Sequence, residues 1–501
     1  VENSGKMQAV LVLLSLAGVV LALLSTSRYG VGLSPDSVNY ISAARTLSSG
    51  NGYLEYTGDP FVRWPPLFPT LLAVLALAGI EPLNGARFMN AFVFGLIVFT
   101  SGQLFLRSMK SKALAILCSL SILLSVPLLR VSTVAWTESL LALLAVLFVL
   151  YIPRFLSKRT LLSLLLVSIL AALSCLQRYA GVVLVLTGCI LISSSMPKTS
   201  LLERVKYIVV FAIISVVPAT IWLIRNYILT LTLTGGRSPS PYSLWQNMAL
   251  TLQVLTRWFV PREIPFSAGL MIVGSVVCAI ALIIGSCRYR LKRQVNFDLR
   301  QVLPAVLIVL VYTLFLTVSS TIIYFDRISD RFLAPIYVFV MFLVFIEIDL
   351  GFSMVSQFLK KKRRGDLLVI GLCSLWLIYP LACVTRSVSA HIQEGAGGYN
   401  RIVWRESPVM WWLRTHRVEG KIYSNAPAAI YILAGRSAQM SPRRSTDISL
   451  FKESLASEGN NYLVWCTNMH RQYLYDVEEL ASQVEIEEVA TFPDGAIYLL
   501  K

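Results

Sequence analysis

Ser34-Pro35-Asp36-Ser37-Val38-Asn39-Tyr40 is the first polar sequence after an apolar run from about Gln8 to Leu24. A carboxylate at the mouth of a membrane is the reading that organises the rest of the chain. Composition supports it: of 501 residues 56% are hydrophobic and 14% charged, and the mean hydropathy is +0.68. That balance excludes an ordinary soluble domain and predicts a polytopic α-helical membrane protein. The net charge of +17 does not point to nucleic acid. Its Lys and Arg fall in short clusters between apolar runs, as cytoplasmic loops do. Seven of the eight cysteines lie in or beside apolar spans and Cys466 stands apart in the polar C-terminal region, so no disulfide framework or zinc spacing follows.

Working outward, the run ending at Leu24 has no small-residue cleavage site after it and reads as a retained helix. The polar block from Ser25 to about Pro65 holds an amphipathic segment, Asp36 to Leu47, in which Val38, Ile41, Ala44 and Leu47 recur at helical spacing. This predicts a helix along the membrane surface with Asp36 at its N-terminal end. Pro66 to Ile80 is short for a span and reads as a second such helix or a re-entrant piece. Ten further spans are drawn near 84–106, 112–128, 134–152, 160–176, 180–196, 206–228, 266–286, 301–320, 331–350 and 366–386, giving about 11 transmembrane helices.

The connectors then sort by charge. Arg107, Lys110 and Lys112; Arg154, Lys158 and Arg159; Lys198, Arg204 and Lys206; Arg288, Arg290, Lys292 and Arg293; and Lys360 to Arg364 all fall on one side. The positive-inside rule makes that side the cytoplasm, with the N-terminus inside. The Asp36 loop and the C-terminal region then lie outside. Arg130, Glu138, Gln177, Arg178, Arg225, Asn226, Asp326, Arg327, Asp330 and Arg331 all fall at outer helix ends. Ionisable groups at membrane depth are costly and line a pathway or a site, so an outward-facing cavity is expected. The membrane module is read as 1–388, with the outer loop 25–83 carrying the candidate active site. From 389 to 501 the chain holds 11 Lys and Arg against 13 Asp and Glu. Strands at Lys421 to Ser424, Tyr462 to Trp465, Val484 to Phe492 and Ala496 to Leu499, with helices at Ile402 to Arg414 and Leu450 to Glu458, predict a small α/β domain.

The motifs also carry a resemblance. The S-P-D-S-x-x-Y loop, Gly50-Asn51-Gly52-Tyr53 and Arg63-Trp64-Pro65-Pro66-Leu67-Phe68-Pro69 resemble the GT-C class of integral-membrane glycosyltransferases. Within that class they resemble in particular the bacterial relatives of protein O-mannosyltransferases and aminoarabinose transferases. Trp136-Thr137-Glu138-Ser139, Gln177-Arg178-Tyr179-Ala180-Gly181, Trp222-Leu223-Ile224-Arg225-Asn226-Tyr227, Asp330-Arg331-Phe332-Leu333-Ala334-Pro335 and Tyr423-Ser424-Asn425-Ala426-Pro427 are similar to segments of the same proteins, in the same order. The resemblance implies an inner-membrane enzyme, with its C-terminal domain extracytoplasmic. It would transfer a sugar, hexosyl or pentosyl, from a polyprenyl-phosphate carrier to an acceptor hydroxyl with inversion. The acceptor would be a glycan, a lipid or a protein.

In that reading Asp36 is the general base, since an acceptor alcohol is a poor nucleophile until a carboxylate takes its proton. Glu138 is the second catalytic carboxylate to consider. The leaving phosphate needs cations, and Arg178, Arg225, Arg237 and Arg331, with Arg63 and Arg327 behind them, are the candidates. Tyr40, Tyr179, Asn226 and Asp330 are the candidate substrate contacts. Each has a bland alternative. Asp36 is equally placed to be a helix N-cap, each arginine to snorkel to headgroups, and Glu138 to pair with Arg130. Some members of the class carry two adjacent acidic residues where this chain has Asp36-Ser37, so no metal ligand is assigned and a divalent ion stays open, with no other cofactor expected. The connector Gly235 to Pro265 reads as a long outer loop, either a lid or a passive link. A transporter or a non-catalytic presenting subunit for lipid-linked saccharides is the competing class. The absence of polar residues on the cytoplasmic half of the spans counts against transport.

Overall fold

The structure is a computed structural model that describes residues 2–196, 199–277, 299–359, 362–456 and 460–501. Lys198, the basic residues between 288 and 293, Lys360, Lys361, and the second half of the span drawn at 266–286 lie outside the described residues. The chain divides into two compact units. One comprises Val1–Leu24, Val62–Phe68 and Phe88–Ser389; the other comprises Ser25–Phe61, Pro69–Arg87 and Ala390–Lys501.

The helices in order are α1 (Glu2–Ser25), α2 (Pro35–Ser48), α3 (Leu67–Leu77), α4 (Pro82–Ser108), α5 (Lys112–Leu123), α6 (Val126–Thr133), α7 (Glu138–Lys158), α8 (Leu161–Gln177), α9 (Val182–Ser194), α10 (Leu201–Thr230), α11 (Leu244–Arg257) and α12 (Phe266–Val277). Then follow α13 (Leu299–Ile322), α14 (Asp330–Leu333), α15 (Tyr337–Leu359), α16 (Lys362–Trp376) and α17 (Ile378–Glu394). Among the described residues seven helices are long and apolar enough to cross a membrane, or eight if α5 and α6, bent by 43°, form one span. The expected count of about 11 is therefore not reached by length. The shortfall has a local cause. Ser125 caps a new helix beside Pro127 and breaks the span drawn at 112–128. At Arg178 the backbone is extended (φ −153°, ψ 145°), which ends α8 after 17 residues, and a Cβ at Gly181 would overlap the backbone of Ser174.

The first unit is closely packed where small residues allow it. Ser15 of α1 donates its hydroxyl to Gly95 O of α4 at 2.8 Å, and a side chain at Gly95 or Gly102 would strike Val19 or Leu11. Helices meet this way in lipid, where packing replaces a hydrophobic driving force. Within α15, Asp349 is 3% exposed and accepts from the backbone N–H groups of Lys110 (2.7 Å) and Ser111 (3.0 Å). The carboxylate thus satisfies donors ahead of α5, whose N-cap is Ser111. The sequence reading passed over this polar residue at the basic end of a span.

In the second unit α18 (Ile402–Arg405), α19 (Pro408–Thr415), α20 (Pro427–Ala429), α21 (Ile448–Ala456) and α22 (Val477–Ala481) accompany five strands. These are β1 (Lys421–Ser424), β2 (Gln439–Met440), β3 (Asn461–Cys466), β4 (Ile486–Phe492) and β5 (Gly495–Leu500), ordered β2-β1-β3-β5-β4. The first three are parallel; β5 pairs antiparallel with β3, and β4 pairs antiparallel with β5. The helix expected over Ile402 to Arg414 is two helices, because Ser407 starts a new one with Pro408 at its first position. The polar segment before α2 belongs to this unit. Leu33 N donates to Gly397 O (3.1 Å), Tyr399 N to Leu33 O (2.8 Å) and Asn400 Nδ2 to Val31 O (2.7 Å). Gly398 takes φ +58° there, and a Cβ would overlap Leu33 O.

Cys466 on β3 is 1% exposed, and burial, then the nearby Asp494 carboxylate, push its thiol up to about 12. An unfolded cysteine ionises near 8.5. The folded state therefore holds this proton more tightly, so stability falls as pH rises from the unfolded value toward the folded one. Alkylation followed by peptide mass spectrometry at about pH 9 is expected to leave Cys466 unmodified in the native protein and to modify it in denaturant.

Candidate active site

Glu138 opens α7 and is fully buried, with its neighbour Thr137 1% exposed. A carboxylate in the first turn of a helix is favoured by the exposed backbone N–H groups, but burial demands charge partners. Two arginines from distant parts of the chain supply them. Arg178 donates from Nη1 to Glu138 Oε1 at 2.7 Å and to Thr137 Oγ1 at 2.8 Å, and Arg331 donates from Nε to the same Oε1 at 2.6 Å. Gln177 Nε2 donates to Thr137 O at 2.9 Å. The Arg331 guanidinium lies 4.2 Å from the centre of the Trp136 ring. Glu138 Oε2 has no hydrogen-bond partner among the described residues.

Two cations on one carboxylate leave net positive charge at partly buried positions, the side chains of Arg178 and Arg331 being 20% and 11% exposed. Such a site suits an anion with several oxygens, because a guanidinium carries five N–H donors in a fork that matches them. The pairing of Glu138 with Arg130 is not made. Arg130 is exposed on α6, while Glu138 turns to Arg178 and Arg331.

A second cluster gathers around the segment Val62–Phe68. Val62 O accepts from Asn226 Nδ2 (3.1 Å) and from the Tyr179 hydroxyl (3.4 Å), and Trp64 O accepts from Trp222 Nε1 (3.2 Å). Asn226 Nδ2 also donates to Leu233 O (3.0 Å), and Arg225 Nη1 donates to Asn226 Oδ1 (3.0 Å) while lying 4.4 Å from the Trp222 ring centre. Arg237 Nη2 donates to Arg63 O at 2.7 Å. Asn226 is buried and both ends of its amide are engaged by protein. Arg63 and Arg327 are exposed.

The connector before α12 carries a helix, α11, started by a capping box between Ser243 and Gln246, which the reading as a loop missed. Asp330 accepts from Trp258 Nε1 at 3.0 Å and lies 3.7 Å from Arg262 Nη2. It ties the end of the connector to α14. Trp258 carried no signal in the sequence, since its partner is 72 residues away.

On the second unit, Asp36 lies in the first turn of α2 and is partly exposed. Ser34 is the N-cap, in a capping box with Ser37, so Asp36 is not the cap. Tyr40 is 1% exposed and meets the Phe61 ring edge-on at 6.2 Å. Among the described residues no three His, Cys, Asp or Glu side chains converge on a metal position.

No family model matches the chain, and no curated protein sequence matches it significantly. Solved structures do match. ArnT from Cupriavidus metallidurans in the apo state has a TM-score of 0.63 at 10% identity, over 100% of this chain and 98% of that one. The chain has an ArnT-like fold. The same ArnT bound to undecaprenyl phosphate gives a TM-score of 0.62 at 12% identity, over 97% of each chain. ArnT is an aminoarabinose transferase of the GT-C class, so the resemblance read from short motifs extends to an ArnT-like fold along the whole chain.

Proposed function

We propose that the chain is an inverting glycosyltransferase that moves a sugar from a polyprenyl-phosphate donor to an acceptor hydroxyl. The reaction would occur on the extracytoplasmic face of the bacterial inner membrane. The observation that carries this reading is the convergence of Arg178 and Arg331 on buried Glu138, within an ArnT-like fold for which undecaprenyl phosphate is a bound ligand of the solved neighbour. Clusters such as Arg154, Lys158 and Arg159 favour a cytoplasmic N-terminus and an extracytoplasmic Asp36 and C-terminal sheet.

The roles follow from chemistry. Asp36 takes the proton of the acceptor hydroxyl as its oxygen bonds to the anomeric carbon. The bond from that carbon to the phosphate oxygen breaks, and polyprenyl phosphate leaves with the bonding electrons. Arg178 and Arg331 neutralise the phosphate. Glu138 is a positioning residue that fixes both guanidiniums. Arg225, held by Asn226 and Trp222, and Arg237, held by Arg63 O, are the further phosphate candidates. Tyr179 and Asn226 hold the Val62–Phe68 segment in place.

The test is turnover by purified protein of a panel of polyprenyl-phosphate sugars with mixed acceptors, reading free polyprenyl phosphate. Release that depends on acceptor is expected. Tight donor binding without release by any donor would remove the transferase reading and favour a carrier.

A further inference from the structure

Asn39 of α2 is 6% exposed, and its Oδ1 accepts no hydrogen bond among the described residues. The other polar side chains of the helix are differently placed. Ser34 and Ser37 bond each other and the backbone, and Thr46 donates to Gly52 O and accepts from Leu54 N. Of the other buried asparagines described, Asn90, Asn226, Asn400 and Asn425 accept a hydrogen bond at Oδ1, whereas Asn461 shares the condition of Asn39 at that atom. A buried amide carbonyl without a donor loses its bonds to water and gains nothing in return. Such a group calls for an explanation, and on a helix whose first turn holds the candidate base Asp36 a bound ligand supplies one.

Its place on the helix says which ligand. Residues three apart on an α-helix are surface neighbours with Cβ atoms about 5–6 Å apart, so Asn39 stands beside Asp36. An amide offers both a carbonyl acceptor and two N–H donors. Resting on the proposed glycosyl transfer, we infer that Asn39 binds the hydroxyl adjacent to the one that Asp36 deprotonates. The acceptor is then a saccharide with a vicinal diol. A serine or threonine side chain or a simple lipid alcohol has no neighbouring hydroxyl for the amide to hold.

Asn39→Leu keeps the volume roughly and removes both hydrogen-bonding functions. The experiment uses the full purified chain, a donor that the wild type turns over, and a panel of methyl glycosides with their monodeoxy analogues. For the best glycoside, the variant is expected to raise acceptor KM about tenfold with kcat within about twofold, the loss of a net hydrogen bond or two. The wild type should lose a similar factor on the analogue lacking the adjacent hydroxyl, and the variant should treat diol and deoxy acceptors alike. The unliganded variant should melt no lower than the wild type, because an unpartnered buried polar group has been removed; a structural asparagine would give a lower Tm. Equal penalties on diol and deoxy acceptors, a fall in Tm, or a serine peptide accepted as well as the diol would overturn the inference. If no donor is turned over, the transferase reading fails by itself. The Asn39 inference is then decided by the thermal shift that millimolar methyl glycosides give: a shift lost in the variant supports it, and no shift or an equal one overturns it.

Discussion

Asp36→Asn is expected to reduce acceptor-dependent release of polyprenyl phosphate by about 10²–10⁴-fold, the range that a positioned base contributes, while donor binding stays within about twofold of wild type. The carboxamide keeps the shape of the side chain and cannot take a proton at neutral pH. The structure makes this substitution unusually clean. Ser34 and Ser37 form the capping box of α2, so the helix start does not depend on Asp36. The fold does lose the attraction of one carboxylate for the helix N-terminus, about 0.3–1 kcal/mol. Activity and stability should therefore separate, with a large fall in turnover beside a Tm change of a few degrees at most. Release equal to wild type would take Asp36 out of the chemistry and leave Glu138 as the carboxylate to examine.

Much of this was legible because it is written in composition and local pattern. The apolar runs predicted α4, α7, α10 and α13 closely, since a span's length is imposed by the bilayer. The strands of the C-terminal sheet followed from short β-branched and aromatic runs, and the hairpin turn from Pro493-Asp494-Gly495. What failed did so where tertiary contacts decide. The break inside the span drawn at 112–128, where Ser125 caps a new helix beside Pro127, has apolar residues on both sides, and hydropathy does not register it. The strand β2 is two residues long and exists only because β1 pairs with it. Leu33 and Gly398 meet through backbone atoms, which leave no trace in side-chain pattern. At the site, charge at helix ends singled out Glu138, Arg178 and Arg331, and the structure brings the three together. Their mutual pairing spans 193 residues between Glu138 and Arg331, and no local rule assigns it. Asn39 could not have been singled out, because an orphaned amide is visible only when its surroundings are.

Glu138 carries the second large effect. Removing one member of a buried charge cluster leaves the others uncompensated, at a cost of about 3–5 kcal/mol. Glu138→Ala is expected to destabilise the protein by that order, because Arg178 and Arg331 then face each other with no carboxylate between them. A purely structural triad would predict the same loss, so stability alone does not test the phosphate role. The discriminating measurement is the thermal shift produced by polyprenyl phosphate in wild type and in the milder Glu138→Gln variant, which keeps an acceptor oxygen and removes the charge. A ligand that binds the folded state raises its stability as the ratio of its concentration to Kd grows. If the two arginines receive the phosphate, the variant lacks the internal anion that competes for them, and its shift should exceed that of wild type at the same ligand concentration. Turnover should nevertheless fall, because guanidiniums no longer pinned to Oε1 lose the fixed orientation on which electrostatic stabilisation depends. Tighter phosphate binding with slower release is thus the expected signature. An equal or smaller shift in the variant would separate Arg178 and Arg331 from the phosphate and move that role to Arg225 and Arg237.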